Sequence, residues 1–173
     1  MPTIIGIDPG VTGAIAWMDW LPSNHLIYGV EDLPVVVRSS GKGKKINAAA
    51  LRDQISIIES KSDGTVIVYV ELVHAMPPIM GKARKAGTTS SFNFGHTAGV
   101  IEGVVIGGGY EVHFVPPATW KKHFKLTGKE KDAARGKALE LFPTMSDELK
   151  FKKDHGRADA LLIAKYGQYM TGT

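Results

Sequence analysis

Residues 3–10 read Thr3-Ile4-Ile5-Gly6-Ile7-Asp8-Pro9-Gly10, a short apolar run closed by an acid and then by the proline and glycine that force a turn. Beyond the turn, Gly13-Ala14-Ile15-Ala16-Trp17-Met18 predicts a second strand and His25 to Val30 a third. Connections this short favour an antiparallel meander. Arg38 to Lys45, RSSGKGKK, lacks apolar periodicity and is expected to be an exposed, mobile basic loop. Asn47 then offers an N-cap to a helix whose apolar positions Leu51, Ile55 and Ile58 recur at helical spacing. Thr65 to Leu72, TVIVYVEL, is a nearly unbroken β-branched run, the pattern of a central strand covered on both faces, and Glu71 ends it.

Met76 to Thr89 predicts a second basic loop, rich in proline and glycine. A long helix from Ser90 to about Gly109 follows, with Gly95, Gly99, Gly103 and Gly107 on one stripe. Glu111 to Val115 predicts a short strand, and Ala118 to Phe124, Lys129 to Phe142 and Arg157 to Met170 three helices. A meander of strands that gives way to alternating strands and helices implies an α/β fold, a mixed sheet with helices on its faces.

The 173 residues, 43% hydrophobic and 22% charged, suit one globular domain over 1–173, with no internal repeat and no long linker. The chain has no cysteine, which excludes a disulfide framework, a thiolate metal site and a thiol nucleophile. No apolar run approaches the roughly 20 residues of a membrane span. Met1-Pro2-Thr3 lacks the regions of a signal peptide, so a cytoplasmic home is expected. The net charge is +4 and the pI about 9.2, a modest excess that matters through its clustering.

Three acids sit where acids are costly. Asp8 and Glu71 each close an apolar strand, and Asp159 opens the run Ala158-Asp159-Ala160-Leu161-Leu162-Ile163-Ala164. Singly, each has an ordinary explanation: a turn residue, an ion pair, a helix cap. Together they point to a bound cation, because a carboxylate among apolar neighbours needs a basic partner, a raised pKa or a metal. Oxygen ligands suit Mg²⁺, and a pair of such ions bridged by carboxylates activates water for phosphodiester cleavage.

Ile5-Gly6-Ile7-Asp8-Pro9-Gly10, Glu71 of YVELV, Pro117 to Lys122 leading to Leu126-Thr127-Gly128-Lys129 and Lys131, and Ala158-Asp159-Ala160-Leu161 resemble the RuvC-like Holliday junction resolvases. The shortened, phage-associated branch is the most similar, through VELVHAMP and HGRADALLIA. The resemblance implies an RNase H-like fold with a five-stranded mixed sheet, three antiparallel strands first and then two parallel. It further implies a homodimeric endodeoxyribonuclease that cuts four-way DNA junctions by paired symmetric nicks leaving 5′-phosphates. Mg²⁺ is the implied cofactor, two ions per site, with Mn²⁺ able to substitute.

Carried over by position, Asp8 is the central metal ligand, Glu71 the second acid and Asp159 the last. The family places an acid or histidine three residues before that last aspartate, where this chain has Gly156. His155 shares a helix face with Asp159 and is favoured as fourth ligand or general acid/base, with Asp154 as N-cap. Alternatively Asp154 binds the metal and His155 is solvated. Lys121 and Lys131 match lysines near the scissile phosphate, where they would offset charge developing on the phosphoryl oxygens. His74 and Met76 hold the ground from which the family inserts a side chain into the junction.

Between Lys121 and Arg157 eleven lysines and arginines face six acids. Lys42, Lys44 and Lys45 and then Lys82, Arg84 and Lys85 form further basic groups. With Lys121, Lys122, Lys129 and Arg157 they are expected to contact DNA phosphates, which position a protein without reading sequence. The rival readings are a nuclease acting mainly on forks or flaps, a junction-binding protein without cleavage, and an actin- or sugar-kinase-like ATPase suggested by the Gly6-Ile7-Asp8-Pro9-Gly10 turn. The last normally closes nucleotide between two related domains, more than this length supplies, so no nucleotide cofactor is expected.

Overall fold

The computed structural model describes the chain except residues 22, 24–25, 63, 73–87, 131 and 173, and only the backbone at 88–90. His74, Met76, Lys82, Arg84, Lys85 and Lys131 therefore lie outside the described residues, as do His25 and most of the expected second basic loop.

Strands β1 (Thr3–Asp8), β2 (Ala14–Trp20) and β3 (Leu26–Asp32) form the expected meander. A small separate hairpin, β4 (Val35–Val37) and β5 (Lys44–Ile46), comes next, then α1 (Ala48–Ser60), β6 (Val66–Glu71), α2 (Thr88–Gly107) and β7 (Glu111–Val115). Helices α3 (Pro117–His123), α4 (Ala133–Leu141) and α5 (His155–Thr171) complete the order, with 3₁₀ turns at Pro143–Met145 and Lys152–Asp154 before α5. The five-stranded sheet runs β3-β2-β1-β6-β7, antiparallel from β3 to β1 and parallel from β1 through β6 to β7. The mixed sheet read from the sequence is thus the sheet observed.

Strand alternation divides the core. Ile5, Ile7, Val68 and Val70 pack on one face against Leu51, Ile55 and Ile58 of α1 and Ile101 and Val105 of α2. Ile4, Ala16 and Tyr69 pack on the other against the alanine- and leucine-rich side of α5. Each of these large apolar side chains contributes about 1.5–3 kcal/mol when buried. Asn47 caps α1 as its sequence predicts, its Oδ1 accepting from Ala50 N at 3.2 Å. The helix α5 comes unusually close to β1, because a Cβ at Gly6 would stand 2.3 Å from Ala164 N and 2.4 Å from Ala160 O. Only glycine there permits backbone-to-backbone contact.

Two expectations need correction. Arg38 to Lys45 is not simply a loop: it turns the hairpin, with Arg38 N donating to Gly43 O at 3.0 Å and Arg38 Nε to Lys44 O at 3.1 Å. Flanking strand residues, Val35–Val37 and Ile46, supplied the apolar pattern that the basic tip lacks. The glycine stripe of α2, a face smooth enough for close packing, is turned away from the sheet. Thr97, Ile101 and Val105 form the buried line of α2, and Gly95, Gly99, Gly103 and Gly107 lie opposite, where an added Cβ meets nothing within 4 Å among the described residues.

Candidate active site

The register of β1 and β6 pairs Ile7 with Val70, so one step further Asp8 and Glu71 end adjacent parallel strands at the same edge. Paired residues of neighbouring strands stand about 4.8 Å apart and face the same way. Both acids share the face of Gly6 and Tyr69, the face covered by α5. The start of α5 closes over Asp8, where a Cβ on Gly156 would fall 3.0 Å from Asp8 Oδ2 and 2.6 Å from Thr12 O. No side chain fits at 156, which explains in steric terms why the acid or histidine expected three residues before Asp159 is missing.

Helical phase orients the rest of α5. Arg157 reaches the β3 side, with Nε and Nη2 donating to Asp32 at 2.6 and 2.9 Å. Tyr166 stacks edge-on against Tyr69 of β6. Asp159, two turns before Tyr166 on the same side of the helix, is turned toward β6, the strand that ends in Glu71. It is half-buried.

Glu71 is held by its surroundings. Burial pushes its carboxyl above the ordinary value, while the hydrogen bond from Trp120 Nε1 at 2.8 Å and the charge of Lys121 pull it back. Trp120 is fully buried, and the Lys121 ammonium lies 5.0 Å from its ring centroid. Lys121 therefore stands beside the Glu71 end of the acidic edge. Trp120 was part of a recognised segment without a role of its own; a buried indole N–H must find an acceptor, and that need was the available signal.

The residues before α5 divide differently than the sequence indicates. Asp154 occupies the N-cap position but makes no side-chain bond to the helix. Its Oδ2 accepts instead from Phe151 N at 2.7 Å, closing the 3₁₀ turn, because the 3₁₀ turn brings that amide within reach of its carboxylate. His155 Nδ1 is 3.0 Å from Lys153 O. A carbonyl can only accept, so Nδ1 is the donor of this bond and Nε2 is the ring nitrogen left for another partner.

Lys122 and Lys129 are exposed, the latter on the rim of a cavity shared with Lys125 and Lys137. Arg157 is tied to Asp32 and to Glu148 O at 3.2 Å, so its charge fastens α5 to β3. Among the described residues no three histidine or acidic side chains form a ready-made metal cage. What stands together is a pair of strand-end carboxylates, with a side-chain-free helix start beside one of them. The donors that do stand together, carboxylate oxygens, suit a hard divalent cation in kind.

The same α/β fold, a five-stranded mixed sheet flanked by helices, is found among solved structures of junction resolvases. The solved structure of the fowlpox virus Holliday junction resolvase matches it with a TM-score of 0.50 at 14% identity, over 98% of this chain and 99% of that one. Thermus thermophilus RuvC aligns over 99% of this chain and 97% of its own, with 17% identity and a TM-score of 0.49. In sequence, the chain is 41% identical over 100 residues to the chloroplastic Holliday junction resolvase MOC1 of Chlamydomonas reinhardtii. That match covers 57% of this chain but 10% of MOC1, so the chain spans about a tenth of that relative's length. No protein-family model matches. Among the described residues no helix is long and apolar enough to cross a membrane.

Proposed function

We propose that this protein is a structure-selective endonuclease that resolves four-way DNA junctions by paired, symmetric nicks leaving 5′-phosphates. The observation that carries the reading is the placement of Asp8 and Glu71 side by side at the carboxyl edge of adjacent strands, under the glycine start of α5. The sequence likeness to a chloroplastic junction resolvase supports it independently.

Asp8 and Glu71 from the strands and Asp159 from α5 hold Mg²⁺, with Mn²⁺ as substitute. Acids gathered at one edge repel one another, and a bound cation is what balances them. When bound, such ions supply an activated water and charge stabilisation at the leaving oxygen. Partial burial of Glu71 lowers the local dielectric and strengthens these interactions. Trp120 fixes the Glu71 carboxylate in orientation, and Lys121 neutralises the phosphoryl oxygens, with Lys131 as its companion. His155 presents Nε2 as fourth ligand or proton carrier; Asp154 is committed to the turn below it.

The active form is a homodimer of 1–173 nuclease units in the cytoplasm; two symmetric nicks need two sites, and a two-fold axis supplies them. The outward stripe of α2, smooth glycines flanked by the exposed Phe92 and Ile106, is the surface for the second copy. DNA phosphates lie over Lys122, Lys129 and the basic hairpin tip, with His74, Met76, Lys82, Arg84 and Lys85 nearer the junction centre.

The test is a labelled four-way junction incubated in Mg²⁺ beside a fork, a flap and a linear duplex. The junction is cut preferentially, and Asp8→Asn lowers the rate about 10²–10³-fold while junction binding persists. Equal cutting by Asp8→Asn overturns the metal site, and preferential cutting of forks or flaps overturns the junction assignment.

A further inference from the structure

A cavity of about 540 Å³ opens between the β4–β5 hairpin tip and the first turns of α2. Arg38, Lys42 and Lys44 line its hairpin side, Asn93 and Phe94 its helix side, and Gly10 and Val11, just past Asp8, its floor. A second cavity of about 280 Å³ shares Val11 and Lys44 with it and continues past the β1–β2 turn to Lys153 and Asp154 at the foot of α5. The two make one trough along the β1–β2 turn, the turn that follows Asp8 in the chain. Its outer half carries three cations and no carboxylate.

Phe94 is the feature a phosphate track alone does not explain. It is 47% exposed although it continues the line of Thr97 and Ile101 toward the start of α2, where that line runs past the core, and it lines this trough, away from the glycine stripe. An exposed aromatic ring next to cations matches the physical pattern of single-stranded nucleic acid sites, where the ring stacks a base and the cations follow the backbone. The amide of Asn93, adjacent on the wall, supplies the donor and acceptor that a base edge requires. The hairpin is braced for the purpose, since Arg38 Nε bonds across it to Lys44 O and fixes the guanidinium over the tip.

We propose that this trough is a nucleotide pocket: it takes one unpaired nucleotide of the DNA strand, the base stacked on Phe94 and the flanking phosphates on Arg38, Lys42 and Lys44. The inference rests on the nuclease reading and deepens it. It supplies what a backbone-only surface lacks, a preference for DNA in which a base near the cut has left its stack. In such DNA the unstacking is already done, so binding does not bear that cost.

The experiment places 5-iododeoxyuridine at successive positions around the branch of a four-way junction, irradiates the complex without divalent metal, and maps the crosslink by mass spectrometry. A crosslink on Phe94 is expected. Phe94→Ala should weaken junction binding about tenfold, the loss of one base–aromatic stack, and Phe94→Tyr should restore it. Lys42→Ala and Lys44→Ala should each reduce the salt slope of binding by about one. Circular dichroism of Phe94→Ala confirms folding, which its exposed position does not threaten. Wild-type affinity in Phe94→Ala, or crosslinks that all fall elsewhere while the wild type cuts junctions, overturns the pocket and leaves the nuclease standing. A Phe94 crosslink in a protein that cuts no branched DNA supports the pocket and overturns the nuclease.

Discussion

Glu71 shows how an ionisable side chain is kept in an unfavourable place. Its carboxyl is raised by burial and only partly relieved by Trp120 and Lys121, so at neutral pH the charged form is a burden on the fold. The sign follows from linkage: an acid bound more tightly to its proton in the folded state lowers stability as pH rises above its unfolded value. Glu71→Gln, which keeps the shape and removes the charge, should raise the melting temperature in EDTA at pH 7 by about 2–4 °C, as about 1 kcal/mol does in a chain of this size. The same variant should lose nicking. Differential scanning calorimetry beside a cleavage assay checks both, and a lowered melting temperature would show that burial of Glu71 is fully compensated. Trp120→Phe should move in the opposite sense, since it removes the donor that favours the carboxylate.

Helix α5 does more for the site than any other element. Its glycines and alanines let it lie against β1, and its foot reaches the acidic edge only because Gly156 has no side chain. Gly156→Ala should lower stability by about 1–3 kcal/mol through overpacking, and cutting should fall further than the unfolded fraction explains, because Thr12 O and Asp8 Oδ2 must both move. Thermal melting and cleavage rates measured on the same sample separate the two effects. The far side of the helix is fastened by Arg157, whose hydrogen-bonded guanidinium holds the Asp32 carboxyl below its ordinary value against the opposing effect of desolvation. That stabilisation is present above the unfolded pKa and is lost as pH falls through the lower folded value. Asp32→Asn should therefore melt below the wild type at pH 7, with the gap closing toward pH 3. The pair is largely exposed, so the gap is small and shrinks with salt. A gap that persists unchanged at pH 3 would rule out the ion pair as its cause.

For the assembled protein the outward stripe of α2 makes the clearest prediction. Gly99 and Gly103 have open space around them among the described residues, so a larger side chain meets none of these and would obstruct a second copy docked on that stripe. Gly99→Leu should leave the melting curve near that of the monomeric wild type and shift gel filtration from dimer to monomer. Junction cutting should then yield isolated nicks rather than paired ones. A dimeric Gly99→Leu places the interface elsewhere.

Much of the architecture was legible in the chain because it is written in local periodicity. The strand β6 announced itself by TVIVYVEL, α1 by Asn47 and its apolar spacing, and Asp8 and Glu71 by their position at the ends of apolar runs. Local periodicity does not say which strands become neighbours or what covers a face, since both depend on segments far apart in sequence. The pairing of β1 with β6 that puts Asp8 beside Glu71, the indole that reaches Glu71, and the crowding that reserves 156 for glycine all arise across such distances. The glycines of α2 illustrate the same division: spacing assigned them to one stripe, but only the packing of Thr97, Ile101 and Val105 against the core turned that stripe outward. Periodicity fixes which residues share a face; burial energy, summed over everything that packs there, selects the face that turns inward.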